Sequence, residues 1–305
     1  MTDLDTAAAA AAAHPDLLTS TAWLADHALD PHVRIVDCRY SFVEGPTGRQ
    51  KYDQGHIPHA VYLDLDALNQ PTQSEPRGVP WMIAPPDAFA AAMSVCGISD
   101  DTLVVAYDDE GGHYAARLWW ALAYYGHDAC RILSGDITAW ADQGRPLSTA
   151  EPAIQPASFT PRGPRQELRA TADEVAQALR DHTALVLDVR RPTEYSGAEV
   201  RAARGGHIPG ATPLFWRENL NWAADAGGAA SGTGQGRTLR PDDDLRARHQ
   251  AAGVTPDQRV ITYCQLGVRA AHAAFTLRLL GYRDVAVYDG SWAEWAADTT
   301  RPVQS

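Results

Sequence analysis

The chain reads as an α/β protein built from two tandem copies of one domain, each a mainly parallel sheet covered by helices on both faces. Two observations predict this. The first is a set of motifs that recur in order. "IVDCR" (35–39) is echoed by "LVLDVR" (185–190), and "DQGHIPHAVYLDL" (53–65) by "RGGHIPGATPLFW" (204–216). Asp37 lies as far from Asp188 as His56 lies from His207, since 188 − 37 and 207 − 56 both equal 151. After small insertions, "VVAYDDEGGHYAARLWWALAYYGH" (104–127) is matched by "VITYCQLGVRAAHAAFTLRLLGYR" (260–283), and "CRILSGDITAW" (130–140) by "VAVYDGSWAEW" (285–295). The second observation is that short apolar runs alternate with helical patterns, which calls for right-handed crossovers between parallel strands.

Taken in order, residues 1–15 are a frayed or disordered tail, with seven alanines at 7–13. The amino-terminal copy occupies 16–147. The stretch "STAEPAIQPASFTPRGP" (148–164) has no periodicity, and 148–166 is read as a linker. The carboxy-terminal copy occupies 167–305. In it, "TADEVAQALRD" (171–181) opens on a capping box, Thr171 with Glu174, ahead of an apolar stripe. "ALVLDV" (184–189) and "RVITYC" (259–264) are short buried strands. "RAAHAAFTLRLLGY" (269–282) is a helix closed by Gly281, and "DVAVYDG" (284–290) is a third strand.

Composition excludes several classes. With 26 basic against 38 acidic residues the net charge is −12, which argues against nucleic acid or an anionic membrane as a partner. No apolar run is long enough to span a bilayer. The start has an acidic flank where an export signal needs a basic one, so a cytoplasmic location with reduced thiols is expected. The four cysteines, Cys38, Cys96, Cys130 and Cys264, contain no CxxC pair, and neither a zinc site nor a redox dithiol is suggested. No metal is expected.

Cys264 is the cysteine whose placement raises a chemical question. It ends a strand, precedes a turn with Gly267, and stands before a helix that begins near Arg269. It is either a small hydrophobe closing a strand or a thiolate held by backbone amides and a helix N-terminus. Ligands in parallel α/β sheets sit at the carboxyl ends of strands, where this residue lies.

The ordered set of pieces resembles the rhodanese family of sulfurtransferases in its two-domain form, from about Leu17 to about Thr300. The twin "GHIP" motifs, the "D-x-R" strand ends, the "YDDEGG" segment and the loop "CQLGVR" carry the resemblance. It implies two rhodanese-like domains with five-stranded sheets, the second catalytic and the first inactive, because Asp108 replaces the nucleophile there. It further implies a Cys264 persulfide as intermediate and no cofactor. Gln265, Leu266, Gly267, Val268 and Arg269 would form the substrate-binding loop, with Arg201 upstream. Asp188 and Arg190 would brace that loop by a buried ion pair, as their twins Asp37 and Arg39 suggest. The implied partners are a small anionic sulfur donor and a thiophilic acceptor, with a thiol protein as a further acceptor.

The resemblance leaves the donor between thiosulfate and mercaptopyruvate, with thiosulfate preferred. Mercaptopyruvate enzymes carry an upstream arginine where this chain has Glu194, although Arg201 and Arg204 stand nearby. Thiosulfate would then rely on Arg269 as its main cation. Cysteine phosphatases of this fold use C-x5-R, whereas four residues separate Cys264 from Arg269 here, which disfavours phosphate chemistry. His56 and His207 recur in both copies and are read as structural. Trp295 is assigned to a core or interdomain position, and Trp292 to either the core or the cysteine pocket. Cys38, Cys96 and Cys130 are read as buried inert thiols, and the glycine-rich 224–237 stretch as a surface loop.

Overall fold

The computed structural model describes residues 14–69, 81–221 and 237–305. The glycine-rich stretch, Arg237 excepted, lies outside the described residues, as do residues 1–13. The first copy runs β1 (Leu18–Thr19), α1 (Thr21–His27), β2 (Val33–Asp37), α2 (Gly48–Gln54), β3 (Val61–Tyr62), α3 (Pro86–Val95), β4 (Leu103–Tyr107), α4 (His113–Tyr124), β5 (Cys130–Leu133) and α5 (Asp136–Asp142). The second runs β6 (Arg169–Ala170), α6 (Ala172–Asp181), β7 (Ala184–Asp188), α7 (Pro192–Tyr195), β8 (Thr212–Pro213), α8 (Asp242–Ala251), β9 (Arg259–Tyr263), α9 (Val268–Leu279), β10 (Val285–Tyr288) and α10 (Ser291–Ala297). The strands form two five-stranded sheets, ordered β1-β5-β4-β2-β3 and β6-β10-β9-β7-β8. Their strand pairings are parallel. The sequence duplication is thus a duplication of topology.

Strand alternation explains the layers, because successive side chains point to opposite faces. In the first sheet Val33, Ile35 and Val105 face an outer core with Leu24, Ile137 and Trp140. Val36, Val104 and Ala106 face the other way, against Phe89 and Met93 of α3 and the apolar length of α4. In the second sheet Val186, Ile261 and Ala286 meet Val175 and Ala178 of α6 and Trp292 and Trp295 of α10. Leu187, Val260, Val285 and Val287 face the opposite core with Leu245 and α9.

That opposite core is one continuous cluster shared by both copies, because α4 packs on α9. Every position of α4 is buried, which is why its sequence shows no clean polar face. Trp119 meets Phe275 edge-on across the seam, with ring centroids 5.1 Å apart. Arg117 of α4 forms an ion pair with Asp289, just beyond β10, at 2.7 Å with both side chains fully buried. Its other nitrogen donates to the Asn69 side chain and the Trp81 carbonyl.

The capping box at α6 forms as expected, and α2 carries its own, Thr47 with Gln50. Helix α9 starts at Val268 and ends at Leu279, three residues short of the expected end, and Gly281 follows in the left-handed region at φ +92°. The stretch 148–164 contains no helix or strand but is strapped to the first copy. Ala157 N–H donates to the Ser94 carbonyl, and Thr160 N–H to the Asp100 carboxylate. Phe159 packs on Phe89 and His127. No helix among the described residues is long and apolar enough to cross a membrane.

Candidate active site

Cys264 sits directly after β9, and the chain turns through residues 265–267 into α9. Gly267 is the N-cap of that helix at φ +83°, a left-handed conformation that favours glycine. A Cβ there would also lie 3.0 Å from the Asp289 carbonyl oxygen and 3.1 Å from Arg117 Nη1. The other side of the turn is clamped to α10. Cys264 N–H donates to Ser291 Oγ at 3.1 Å, and the carbonyls of Cys264 and Gln265 accept from the amides of Trp292 and Ala293. The cysteine is only 1% exposed.

The first copy shows what such a turn binds. Asp108, at the end of β4, points its carboxylate into the turn before α4. It accepts from the amides of Glu110, Gly112, Tyr114 and Ala115 at 2.7–3.0 Å. Burial first, then the nearby Asp136, pushes this carboxyl up to about 7 despite the amides. A ring of backbone donors at a helix start is an anion site. In the second copy the same strand–turn–helix presents its helix start to a thiol.

Bracing comes from the strand ends. Arg190 donates to Asp188 through Nε and Nη2, the shortest contact being 2.6 Å, and reaches the Gly206 carbonyl at 2.8 Å. Tyr263, the residue before the cysteine, donates its hydroxyl to Asp188 at 2.6 Å and accepts from Ile208 N–H. Arg39, Asp37, Tyr107 and Ile57 repeat this network in the first copy. His56 and His207 stack on Tyr52 and Tyr195 at 3.8 and 3.6 Å and bond those residues' carbonyls. Both histidines also tie, through the backbone, to Ser148 and Gln304 respectively.

A cleft of about 380 Å³ opens over the loop between the two copies. Cys264, Gln265, Leu266, Val268 and Arg269 line it from the loop, and Arg191, Arg201, Phe215, Trp216 and Arg217 from the rest of the second copy. Tyr40, Phe42, Lys51, Glu110 and Tyr114 line it from the first. Cys264 is the cysteine that lines the cleft. Burial pushes the Cys96 thiol up to about 11 and raises those of Cys38 and Cys130 as well, so these three stay protonated at neutral pH.

Three expectations change in the structure, at Arg269, Arg204 and Gly267, and the open choice at Trp292 is decided. Arg269 lines the cleft but is not an unengaged cation: its two terminal nitrogens donate to Glu194 at 2.7 and 3.0 Å. Burial alone would lower the Arg269 guanidinium, but the Glu194 bonds and the Cys264 charge raise it. Burial alone would raise the Glu194 carboxyl, and the Arg269 bonds bring it below its usual value. Arg204 does not face the donor, because it donates to the carbonyls of Trp295, Ala296, Asp298 and Arg301. Trp292 is buried beneath the Arg190 guanidinium, 4.6 Å from it, and does not line the cleft. Gly267 shapes the loop from below. Trp295 lies in the core of the second copy, its indole bonded to the Pro302 carbonyl.

Ser291, Arg191 and Arg217 were missed in the sequence. Ser291 has a visible signal, since it stands where the first copy has Asp136, and both adopt positive φ, +50° and +56°. Arg217 pairs with Glu110 of the first copy at 3.0 Å, a cross-copy contact with no sequence signature.

A family model for the rhodanese-like domain matches residues 20–143 and again 171–298. The chain is 34% identical to the sulfur carrier protein TtuD of Thermus thermophilus, over 93% of this chain and 94% of that protein. It is 33% identical to a thiosulfate sulfurtransferase of Corynebacterium glutamicum, over 96% and 92%. The solved structure of the 3-mercaptopyruvate sulfurtransferase SseA from Escherichia coli superposes with a TM-score of 0.77 at 32% identity, covering 90% of this chain and 98% of that one. The chain belongs to the rhodanese family, in its tandem two-domain form, and is a sulfurtransferase.

Proposed function

We propose that the chain takes sulfane sulfur from thiosulfate onto Cys264 and passes it to a thiophilic acceptor, cyanide or a thiol. In the first half-reaction the Cys264 thiolate attacks the outer sulfur of thiosulfate. The sulfur–sulfur bond breaks, sulfite leaves with the electron pair, and a cysteine persulfide remains. In the second, the acceptor attacks the outer sulfur and the thiolate returns. Both steps use only the cysteine, so no cofactor is called for.

One observation carries the choice of donor. Glu194, buried and locked onto Arg269, stands where mercaptopyruvate enzymes carry an arginine. The site therefore sets a carboxylate where a carboxylate clamp would need a cation. A guanidinium has five N–H groups and Glu194 takes two, so Arg269 keeps donors for a sulfonate, beside the amides of α9. The second reading, mercaptopyruvate, is favoured by Arg201 and Arg191 at the cleft. They share Glu199 at 3.8 and 3.5 Å, contacts loose enough for an incoming carboxylate to replace.

The test compares kcat/KM for the two donors with cyanide as acceptor, at fixed salt because screening shifts anion affinity. Thiosulfate as the faster donor, with Arg201→Gln changing its kcat/KM by less than about two-fold, supports the first reading. Mercaptopyruvate as the faster donor, with Arg201→Gln damaging, replaces it by the second.

A further inference from the structure

We propose that the wall of the cleft supplied by the first copy is a subsite for the sulfur acceptor, and that it fits a small thiol carrying a flat apolar body. This rests on the reading of Cys264 as the sulfur-carrying group.

Size comes first. The cleft holds about 380 Å³. Thiosulfate has five heavy atoms and fills roughly 100–150 Å³, at ~20–30 Å³ per heavy atom as in liquid water. Cyanide is smaller still. More than half the cleft is left over, and a volume of this size suits an organic ligand.

Charge then separates the walls. Arg191, Arg201, Arg217 and Arg269 all belong to the second copy. The facing wall presents Tyr40, Phe42, Val43 and Tyr114; of its charged groups, Lys51 is held by Asp109 at 2.7 Å and Glu110 by Arg217 at 3.0 Å, and His113 lies buried beside Tyr114. An anionic donor is drawn to one side, and an apolar body is accommodated on the other.

The apolar wall is also pre-organised. Phe42 lies 5.0 Å from Tyr40 and 4.7 Å from Trp81, and Tyr40 lies 5.0 Å from Trp81, all as centroid distances in tilted or edge-on pairs. Tyr40 is anchored by its hydroxyl, which donates to the Asp66 carboxylate at 3.1 Å. Packed from behind, Phe42 is nevertheless 43% exposed, and Val43 beside it is 72% exposed. Scattered exposed apolar residues need no explanation. An adjacent pair on a fixed aromatic cluster, lining a cleft with a reactive thiol, offers a ring a ready partner.

The step balances without an added oxidant. The acceptor thiolate attacks the outer sulfur of the protonated persulfide, forming a new sulfur–sulfur bond. The bond to Sγ breaks with its electron pair returning to Sγ. The acceptor leaves as a hydrodisulfide that keeps the outer proton, and the Cys264 thiolate is regenerated.

The experiment separates loading from discharge. The protein is treated with thiosulfate, freed of small molecules, and its Cys264 sulfur measured by mass spectrometry. It is then mixed with phenylmethanethiol or 2-mercaptoethanol, thiols of similar acidity, and discharge is timed. Loaded protein should prefer phenylmethanethiol by about ten-fold, Phe42→Ala should bring the ratio near one, and Phe42→Trp should keep it. Circular dichroism checks folding, and Phe42→Leu, expected to lower the ratio part way, replaces the alanine variant if that one is unfolded. Equal discharge rates in the parent, or an undiminished ratio in the folded alanine or leucine variant, overturns the acceptor subsite. Failure of Cys264 to load at all overturns the function reading instead, before any acceptor is added.

Discussion

Arg269→Gln removes the partner of a carboxylate that is almost wholly buried. The Glu194 side chain is 1% exposed and that of Arg269 14%, so solvent screens the pair little. In the variant, Glu194 keeps the Arg191 amide at 3.1 Å and loses both guanidinium bonds. Orphaning one member of a buried pair costs about 3–5 kcal/mol. At roughly 2–4 °C per kcal/mol for a protein of this size, the apparent Tm should fall by about 10 °C at neutral pH. The pH dependence identifies the cause. In the parent Glu194 titrates below its usual value of 4.5, so the pair's contribution is present above that pH and is lost as pH falls through the lowered folded value. In the variant, burial without the arginine raises the carboxyl, and the penalty grows as pH rises above about 4.5. Both effects widen the gap with pH. Melting curves of the parent, Arg269→Gln, Glu194→Gln and the double variant, from pH 4 to 8, provide the assay. The gap between parent and Arg269→Gln should be small at pH 4 and full at pH 8, and the double variant should regain most of the loss. A gap that does not change with pH, or a double variant no more stable than Arg269→Gln, would refute this reasoning.

Further predictions concern the first copy. Asp108 has a folded-state pKa raised to about 7 from 3.8, so its contribution to stability is lost as pH rises from about 4 through about 7. Asp108→Asn should flatten that part of the parent's stability profile, by on the order of 4 kcal/mol across the window at 1.36 kcal/mol per unit, as read by urea unfolding. Its cyanide turnover should change by less than about three-fold, since Asp108 holds with a carboxylate the place that Cys264 has in the second copy and does not line the cleft. Arg117→Met takes from the fully buried Asp289 its closest cation and leaves it Arg169 at 3.4 Å and the Ile83 N–H at 2.8 Å, so it should cost up to about 3 kcal/mol. Because Asp289 also touches the position of Gly267, turnover should fall with it, and Arg117→Lys should restore part of both.

The parts of this architecture legible in the sequence were those with a local or repeated signature. The 151-residue offset exposed the two copies because each half must rebuild the same brace, Asp37 with Arg39 and Asp188 with Arg190. Cys264 was legible because a strand end, a glycine and a helix start fall within six residues, 264–269. Partnerships across the chain were not. Arg269 reads as the main cation for the donor until the fold brings Glu194, 75 positions earlier, against it. Arg204 sits near the second "GHIP" motif, yet the chain's return near Trp295 to Arg301 surrounds it with carbonyls. Nothing in the sequence around Arg117 points to Asp289, 172 positions later, and only the packing of α4 on α9 reveals their tie. The linker's lack of periodicity was real, but its hydrogen bonds to Ser94 and Asp100 are long-range and carry no pattern.

If Cys264 carries the sulfur, it should be the thiol that thiosulfate modifies. Thiosulfate-treated protein, freed of donor, digested without reductant and mapped by mass spectrometry, tests it directly. One added sulfur atom is expected on the peptide containing Cys264, absent from Cys38, Cys96 and Cys130, and released on adding cyanide. Added sulfur on any of those three cysteines with Cys264 unmodified, or turnover that persists in Cys264→Ser, would contradict it.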